Sequence, residues 1–297
     1  MSTTVNGPSN NGARPQSWSQ SWTHFSVDRR SLGYCRITFD HPPINTITAT
    51  TVAELSELVG LIEQDADLNV VVFDSANPDF YLAHYDTEHD PGRTAALGVG
   101  PTGMHAWLDL LVRLARAPVV SIASIRGRAR GAGSEFVLAT DIRFASEKAI
   151  LGQFEVGVDA VPGGGPMARL GRLVGRGRAL EILLGGDDVP AALAAEYGYV
   201  NRVIPDGEIE NFTDAFARRI AAFDKVAVAG IKKLVDVATL PDDAEFAAGL
   251  QAYFATAGRP ERRPFVQLLF KNGMQQPDGI ETDLGTAIGK LRQTANG

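Results

Sequence analysis

Apolar and polar positions alternate along some segments of the chain and recur every three to four residues along others. Residues 34–39 alternate, and the continuous apolar runs at 69–74 and 119–125 have the length and composition of strands buried on both faces. Residues 105–116 show helical spacing and end before Pro118. The order of strand, helix, strand, loop, helix and strand predicts an α/β layer architecture.

A further helix is predicted between the first two of these strands. Residues 51–54, with the sequence Thr-Val-Ala-Glu, have the spacing of a capping box, and a start nearer Thr48 is the alternative. Helical spacing then continues along one apolar face, which is formed by Val52, Leu55, Val59 and Ile62.

Beyond residue 125 the pattern divides the chain into a mixed body and a helical end. The body continues with predicted helices at 131–139, 163–174 and 177–184 and with predicted strands at 141–145 and 199–204. Beyond the body only helical spacing is found, at about 211–222, 224–238, 242–256 and 260–272.

Three regions follow from this pattern. Residues 1–22 are rich in Ser, Asn, Gly and Pro, and such a segment buries too little apolar surface to offset the loss of chain entropy. We therefore predict a disordered tail over residues 1–22, an αβ core over 23–206 and a helical C-terminal region over 207–297.

Composition narrows the class of protein. Of 297 residues, 44% are hydrophobic and 21% are charged, which is the balance of an ordinary globular protein. The net charge of −7 disfavours a nucleic-acid or anionic-membrane surface. Cys35 is the one cysteine, so no intramolecular disulfide can form, and no apolar run has the length of a transmembrane helix. We expect a cytoplasmic protein without nucleic-acid or membrane partners.

A Gly-rich turn with a glutamate follows the predicted strand at 119–125. From Gly127 to Glu135 it reads Gly-Arg-Ala-Arg-Gly-Ala-Gly-Ser-Glu. The first amides of a helix have no intrahelical partner and lie at the positive end of its dipole, and glycines let a ligand approach the backbone. The turn therefore has the properties of a site for a negative oxygen. A tight strand–helix turn with a surface Glu135 is the alternative interpretation.

A second glutamate precedes another run of glycines. Glu155 lies between two short apolar segments, ahead of a Pro-Gly-Gly-Gly run at residues 162–165. A carboxyl group that is desolvated in such a setting has its pKa raised toward the range useful for proton transfer. A glutamate at a strand end facing water is the alternative. Two glutamates beside two Gly-rich turns of one αβ body could, however, face one pocket.

These motifs resemble the enoyl-CoA hydratase/isomerase (crotonase) superfamily over about residues 31–206. The clearest match is 119–186, where a buried strand, a Gly-rich turn with Glu, an Asp-led strand, Gly-Gln-Phe-Glu and a Pro-Gly-Gly-Gly helix start follow in the family's order. Residues 79–86 (Asp-Phe-Tyr-Leu-Ala-His-Tyr-Asp) and 40–47 are similar to two further family segments. The resemblance implies a crotonase-like ββα spiral core of the α/β class with a C-terminal all-helical trimerisation region.

The resemblance also implies acyl-CoA chemistry and assigns residues to it by position. The backbone N–H groups of Tyr85 and Ala132 would bind the thioester oxygen as an oxyanion hole. Glu155 would deliver or remove the proton at the α-carbon, and Glu135 would activate the water that adds at the β-carbon. The presence of both glutamates favours hydration of a 2-enoyl-CoA over isomerisation, for which one carboxylate at position 155 suffices.

Partners and cofactors follow from the same resemblance. Pro43, Ile44, Ala83 and Asp86 fall where the family lines the groove for coenzyme A. Coenzyme A belongs to the substrate, so no cofactor and no metal are expected, and the family's habit implies a homotrimer or a dimer of trimers. Thioester hydrolase, carbon–carbon lyase and decarboxylase reactions occur on the same fold and remain open.

Two departures from the family pattern bear on the substrate. His84 and Tyr85 stand where the family has small residues around the oxyanion position, and the Tyr85 side chain would narrow or reshape the pocket. Arg126 replaces the usual Asn at the turn entry and is followed by Arg128 and Arg130, which could face CoA phosphates, a substrate carboxylate or solvent. These changes argue against a plain fatty-acyl substrate.

Other functions have weaker sequence patterns. The two runs of glycines do not complete G-x-G-x-x-G after a strand, and Ser134 lacks a G-x-S-x-G motif. A catalytically silent binding protein on the same fold, recruiting a partner such as RNA through the arginines of 126–130, is the non-enzyme alternative. A cluster of possible metal ligands fits no zinc template and consists of His84, Asp86, Glu88, His89 and Asp90.

Overall fold

The strands of this chain form two β-sheets. The computed structural model describes residues 18–86, 93–94 and 96–296. Neighbouring strands are parallel except at the first pair of the larger sheet and the last pair of the smaller one. The larger sheet contains, in spatial order, β1 (Phe25–Ser31), β2 (Tyr34–Phe39), β3 (Val70–Ser75), β5 (Val120–Ile125), β7 (Ile142–Ser146) and β10 (Arg202–Ile204). The smaller sheet contains β4 (Phe80–Leu82), β6 (Arg128–Arg130), β8 (Ile150–Gly152) and β9 (Asp188–Pro190).

Helix α1 spans Ala49–Gln64 and begins after Thr48. Of the two helix starts considered from the sequence, the one near Thr48 is therefore the observed one. The Thr51 N–H donates to Thr48 Oγ1 at 3.2 Å, and the Thr48 N–H donates to Thr51 Oγ1 at 3.1 Å. The predicted cap at Thr51–Glu54 is wrong, because the Glu54 carboxylate accepts instead from the backbone N–H groups of Thr23 and His24, at 2.7 and 3.1 Å.

The order of the elements is that of a ββα spiral. Strands β3 and β5 of the larger sheet are each followed by a strand of the smaller sheet and then by a helix, α2 (Ala106–Arg116) and α3 (Ala132–Ala139) respectively. The predicted fold class is therefore confirmed. After β8 the chain forms a 3₁₀ turn at Glu155–Val158, followed by α4 (Pro166–Val174), α5 (Arg176–Gly185) and, beyond β9, α6 (Ala191–Tyr197).

The main core lies between the larger sheet and the helices α1 to α3, and it fixes the position of α3. The Phe136 ring on α3 meets Phe73 edge-on, with centroids 5.0 Å apart, and Phe39 in the same way at 5.4 Å. All three side chains are buried. Because α3 begins at the Gly-rich turn, this aromatic packing also holds the turn against the sheets.

The chain beyond β10 is helical, as predicted. The prediction did not include the last of these helices, and it missed β1, α6 and the short strands of the smaller sheet. The C-terminal helices are α7 (Ile209–Ala221), α8 (Lys225–Thr239), α9 (Asp243–Ala257), α10 (Arg263–Lys271) and α11 (Leu284–Asn296). Across the described residues, no helix is both long and apolar enough to cross a membrane.

The last residues of the predicted tail contact the body. Residues 1–17 lie outside the described part, but the Trp18 indole N–H donates to Asp65 Oδ2 at 2.9 Å. The Trp22 ring stacks on Phe25 with centroids 5.0 Å apart. The two tryptophans supply apolar contact surface that the average composition of residues 1–22 conceals.

Candidate active site

Glu135 is buried on the first turn of α3. The chain enters this helix through Gly131, whose φ of 50° lies in the left-handed region that favours glycine. Glu135 Oε1 accepts a hydrogen bond from the Gly164 N–H at 2.7 Å, and Oε2 accepts from the Trp107 indole N–H at 2.8 Å. The alternative of a surface glutamate is therefore wrong, because the Gly-rich segment that precedes α4 closes over this carboxylate.

Two opposing effects set the proton affinity of Glu135. Burial raises the pKa of its carboxyl group, whereas the N–H donors of Trp107, Gly164 and Gly163 and the charge of Arg169 lower that pKa, and the net pKa is raised. Both carboxylate oxygens thus accept hydrogen bonds that favour the charged form. A buried carboxylate with spare lone pairs can accept a further hydrogen bond from water, so Glu135 is suited to the role of a base.

Glu155 begins the 3₁₀ turn after β8 and faces the same Gly-rich turn. A Cβ atom at Gly131 would lie 3.0 Å from Glu155 Oε1, so glycine leaves room for this carboxyl group. Gln153 Nε2 donates to Glu155 Oε2 at 3.1 Å while Gln153 Oε1 accepts from the Ser134 hydroxyl at 3.1 Å, an amide orientation that follows from its partners. Residues 153 and 134 therefore orient Glu155.

The two glutamates have different electrostatic environments. Burial raises the pKa of Glu155 well above its usual range, and the nearby charge of Glu135 raises it further. Both effects favour the protonated form of Glu155, while Glu135 receives N–H donors that favour its anion and limit the rise of its own pKa. One acid and one base at a single site is the arrangement expected when two carboxyl groups have environments that push their pKa values apart.

The backbone around Tyr85 is oriented by a parallel bridge to Ile47. The His84 carbonyl accepts from the Ile47 N–H at 2.9 Å, and the Asp86 N–H donates to the Ile47 carbonyl at 2.8 Å. In a trans peptide the C=O and N–H groups point in opposite directions. The Tyr85 N–H is therefore directed away from Ile47, and among the described residues it has no hydrogen-bond acceptor.

The Ala132 N–H lies on a segment that is hydrogen-bonded to the segment of the Tyr85 N–H. It is the first N–H of α3 and so has no partner within the helix. The Arg130 N–H donates to the Ala83 carbonyl at 3.0 Å, which ties together the segments that lead to both amides. Tyr85 and Ala132 each lie two residues beyond this hydrogen bond. The arrangement is compatible with two N–H donors on one oxygen, and the oxyanion assignment stays a prediction.

The four residues predicted to line a CoA groove lie in different environments. Ile44 and Ala83 are fully buried in a small apolar cluster, so their side chains present no surface to a ligand. Pro43 is exposed, and Asp86 Oδ1 accepts from Gln275 Nε2 at 2.8 Å. The assignment of these four residues to a CoA groove stays a prediction. Of the four, only Pro43 and Asp86 have side chains available to contact a ligand.

The three arginines of the turn entry all have partners within the chain, which the sequence could not reveal. Arg126 Nε donates to Asp206 Oδ1 at 2.9 Å, Arg128 Nε to the Thr282 carbonyl at 3.1 Å, and Arg130 Nε to Asp188 Oδ1 at 2.6 Å. Arg130 is 1% exposed, so its guanidinium group belongs to the core and faces neither solvent nor a phosphate.

Only part of the possible metal cluster can be placed. Glu88, His89 and Asp90 lie outside the described residues. His84 and Asp86 each contact the C-terminal segment, His84 through Glu281 and Asp86 through residue 275. Within the described ranges, no group of three or more His, Cys, Asp or Glu side chains is placed to hold a metal ion.

Two aromatic residues of the site were absent from the sequence prediction. Trp107 was recognised only as part of an amphipathic helix. Tyr253 on α9 lies against Gly163, where a Cβ atom would be 3.0 Å from the Tyr253 Cγ. Burial raises the pKa of the Tyr253 phenol, and the charge of Glu135 raises it further. No local motif marks either residue, because both reach the site through tertiary packing.

Comparison with known proteins connects this geometry to one family. Residues 29–261 match the sequence model of the enoyl-CoA hydratase/isomerase family. The chain is 31% identical over 205 residues to the short-chain-enoyl-CoA hydratase of Clostridium acetobutylicum, an alignment that covers 67% of this chain and 76% of that protein.

Solved structures have the same fold over most of the chain. A crystal structure from Streptomyces avermitilis aligns with a TM-score of 0.86 at 39% identity and covers 92% of this chain and 99% of that one. An enoyl-CoA hydratase from Bacillus anthracis aligns with a TM-score of 0.67 at 27% identity, covering 84% of this chain and 96% of that one.

Proposed function

Because residues 29–261 match its sequence model, the chain belongs to the enoyl-CoA hydratase/isomerase family, and we propose that it adds water across the double bond of a 2-enoyl-CoA. The observation that carries the proposal is the pair of glutamates on either side of the Gly131 turn, of which Glu135 is buried and Glu155 is half-buried. Glu135 accepts N–H donors on both oxygens, and burial raises the pKa of Glu155 well above its usual range, which favours its protonated form. Hydration needs both a base for the water and an acid for the α-carbon.

The proposed reaction uses each group once. The Glu135 carboxylate takes a proton from water as the water oxygen bonds to the β-carbon, and the thioester oxygen becomes an enolate oxyanion. The N–H groups of Tyr85 and Ala132 stabilise that charge, for which each donor typically contributes about 3–4 kcal/mol. Glu155 then transfers its proton to the α-carbon. Afterwards Glu135 carries the proton and Glu155 the charge, and exchange with water resets the pair.

The proposal is tested with purified protein and crotonyl-CoA, together with larger 2-enoyl-CoA substrates. Hydration removes the absorbance of the conjugated thioester and gives a product heavier by one water. A shifted double bond with unchanged mass would favour isomerase chemistry instead. An unchanged thioester together with an RNA shift on a native gel would favour the non-enzyme alternative.

A homotrimer or dimer of trimers is part of the proposal. Helix α8 carries large apolar side chains that are exposed in the single chain, namely Val226 (78%), Ile231 (67%), Leu234 (75%) and Val237 (82%). Contiguous apolar surface of this kind marks an interaction site. Light scattering is expected to give three or six times the chain mass of 31.7 kDa, and a value of one chain mass would contradict the proposal.

We propose further that the substrate supplies the only coenzyme, as its CoA group, and that the protein acts in the cytoplasm. Cys35 is a free, buried thiol, which is compatible with a reducing compartment. Activity that survives extensive dialysis against a chelator would support the first statement, and cell fractionation tests the second.

A further inference from the structure

A buried histidine–glutamate contact lies directly beside the proposed oxyanion position. His84 Nε2 is 2.8 Å from Glu281 Oε1, and His84 Nδ1 is 2.8 Å from the Tyr85 carbonyl oxygen. The His84 side chain is 2% exposed and that of Glu281 is 0% exposed. His84 also contributes the carbonyl of the peptide whose N–H belongs to Tyr85.

The partners of the ring define its protonation. The Tyr85 carbonyl can only accept, so Nδ1 carries a hydrogen. Glu281 Oε1 also accepts from the Gln275 N–H at 2.9 Å, so this oxygen acts as an acceptor toward both neighbours. Burial lowers the pKa of His84, but the charge and hydrogen bond of Glu281 more than offset it and the net pKa is raised. Both ring nitrogens thus face oxygen acceptors, which is the arrangement of an imidazolium paired with a carboxylate.

The groups around the pair support this charge state. For Glu281, burial raises the pKa, whereas His84, the Gln275 N–H and the charge of Arg130 lower it, and the net pKa is lowered. Arg130 also donates to the Glu281 carbonyl at 2.7 Å, and Arg128 lies near enough for its charge to interact with Glu281. The ring of Phe154 packs edge-on to His84, with centroids 5.5 Å apart.

The same segment contacts the residue after Tyr85. The Asp86 carboxylate accepts from Gln275 Nε2 at 2.8 Å. Residues 84–86 are thus held on one side by the backbone of Ile47 and on the other by Gln275 and Glu281. Glu281 Oε2 is buried and has no hydrogen-bond partner among the described residues, so hydrogen bonding through Oε1 is what this side chain contributes here.

We propose that His84 is a positioning residue, which Glu281 holds in place so that the Tyr85 N–H is fixed toward the substrate oxygen. The inference rests on the proposed function, since it assigns a role to the support of the oxyanion hole. A charged donor forms a stronger hydrogen bond than a neutral one, so the imidazolium restrains the Tyr85 carbonyl more firmly than a neutral ring would.

The test compares Glu281→Gln with the unmodified protein from about pH 5 to about pH 8. Without the carboxylate, burial leaves His84 with a lowered pKa, so the ring is neutral at neutral pH and regains its proton only as the pH falls. We expect kcat/KM to fall about tenfold at about pH 7.5, mainly through kcat, and the ratio of variant to wild type to rise toward one at acidic pH. The ratio cancels the titration of Glu135 and Glu155, which both proteins share.

Two further variants separate positioning from folding. Glu281→Asp keeps the negative charge. The ratio of its kcat/KM to that of wild type is expected to be lower than one but independent of pH. Asp74→Asn is the matched control, because Asp74 also pairs with a buried arginine, Arg36, and also has one buried oxygen without a partner. It lies on β3 of the larger sheet, and the ratio of its kcat/KM to that of wild type is expected to stay near one. Thermal unfolding at each pH checks that all proteins remain folded.

A second readout does not depend on turnover. A conjugated dienoyl-CoA bound with its carbonyl on two N–H donors absorbs at longer wavelength, and we expect a smaller shift with Glu281→Gln than with wild type. Absence of turnover and of any shift in wild type would overturn the proposed function. Turnover by wild type, together with an equal shift and a pH-independent ratio in Glu281→Gln, would overturn this inference alone. If Glu281→Gln does not fold, Glu281→Asp takes its place in the test. A ratio of its kcat/KM to that of wild type that changes with pH would then overturn the inference about His84.

Discussion

Replacing Gly164 with alanine tests how closely the position of Glu135 is set. The Gly164 N–H donates to Glu135 Oε1 at 2.7 Å, and a Cβ atom at Gly164 would lie 2.6 Å from Glu135 Cδ and 2.9 Å from Trp107 Nε1. Ordinary van der Waals contact begins near 3.4 Å. The carboxyl group therefore has to retreat by at least about 0.8 Å, since Glu135 Oε2 would lie closer still to that Cβ than Cδ does.

The expected loss follows from that displacement. A misplacement of about 1 Å in an active site can lower the rate about 100-fold, which corresponds to about 2.7 kcal/mol of barrier. We expect the kcat of Gly164→Ala to fall about 30- to 100-fold. KM should change less, because Glu135 acts on the attacking water and not on the binding of coenzyme A.

The assay is the loss of enoyl-thioester absorbance at saturating and subsaturating substrate. Gly171→Ala is the matched control, because Gly171 lies within α4 and a Cβ atom there meets nothing within 4 Å. That variant should keep the wild-type kcat and gain about 0.8–1 kcal/mol in the free energy of unfolding. A folded Gly164→Ala protein with a kcat within twofold of wild type would refute the link between this contact and catalysis.

Three further outcomes are expected. Glu155→Gln should lower kcat by about 100- to 10,000-fold while CoA binding persists, and normal turnover would remove Glu155 from the mechanism. The same variant should melt at a higher temperature than wild type by a margin that grows with pH, since burial raises the pKa of Glu155 and wild type loses stability as the pH rises toward that raised pKa; a constant margin would contradict this. In Trp107→Phe, loss of the indole donor should raise the pKa of Glu135 and move the acidic limb of the kcat/KM profile to higher pH, and an unmoved limb would count against Glu135 as the base.

The long elements of the fold could be predicted because their patterns extend over many residues. Strand β3 and helix α2 each contain enough positions for an apolar run or a helical period to emerge. The strands of the smaller sheet are three residues long, which is too short for alternation to be visible. Their existence depends on pairing with one another, and this is a property of the folded chain.

The glutamates of the site were accessible to sequence reasoning because each stands next to a Gly-rich turn. Their protonation was not, since it depends on Trp107 and Gly164 at one carboxyl group and on burial at the other. The partners of the arginines at the turn entry could not be predicted from the sequence either. Arg130 has a charge and a position that suit a phosphate, yet its partner Asp188 lies 58 positions further along the chain.

The contact between His84 and Glu281 joins positions that are 197 residues apart. A ribosome assembles Glu135, Glu155 and both oxyanion amides long before it reaches Glu281. If Glu281 positions His84 as inferred, a nascent or prematurely released chain contains every reacting group. It still lacks the Glu281 carboxylate that fixes the direction of the Tyr85 N–H. Full catalytic efficiency would then be reached only late in translation.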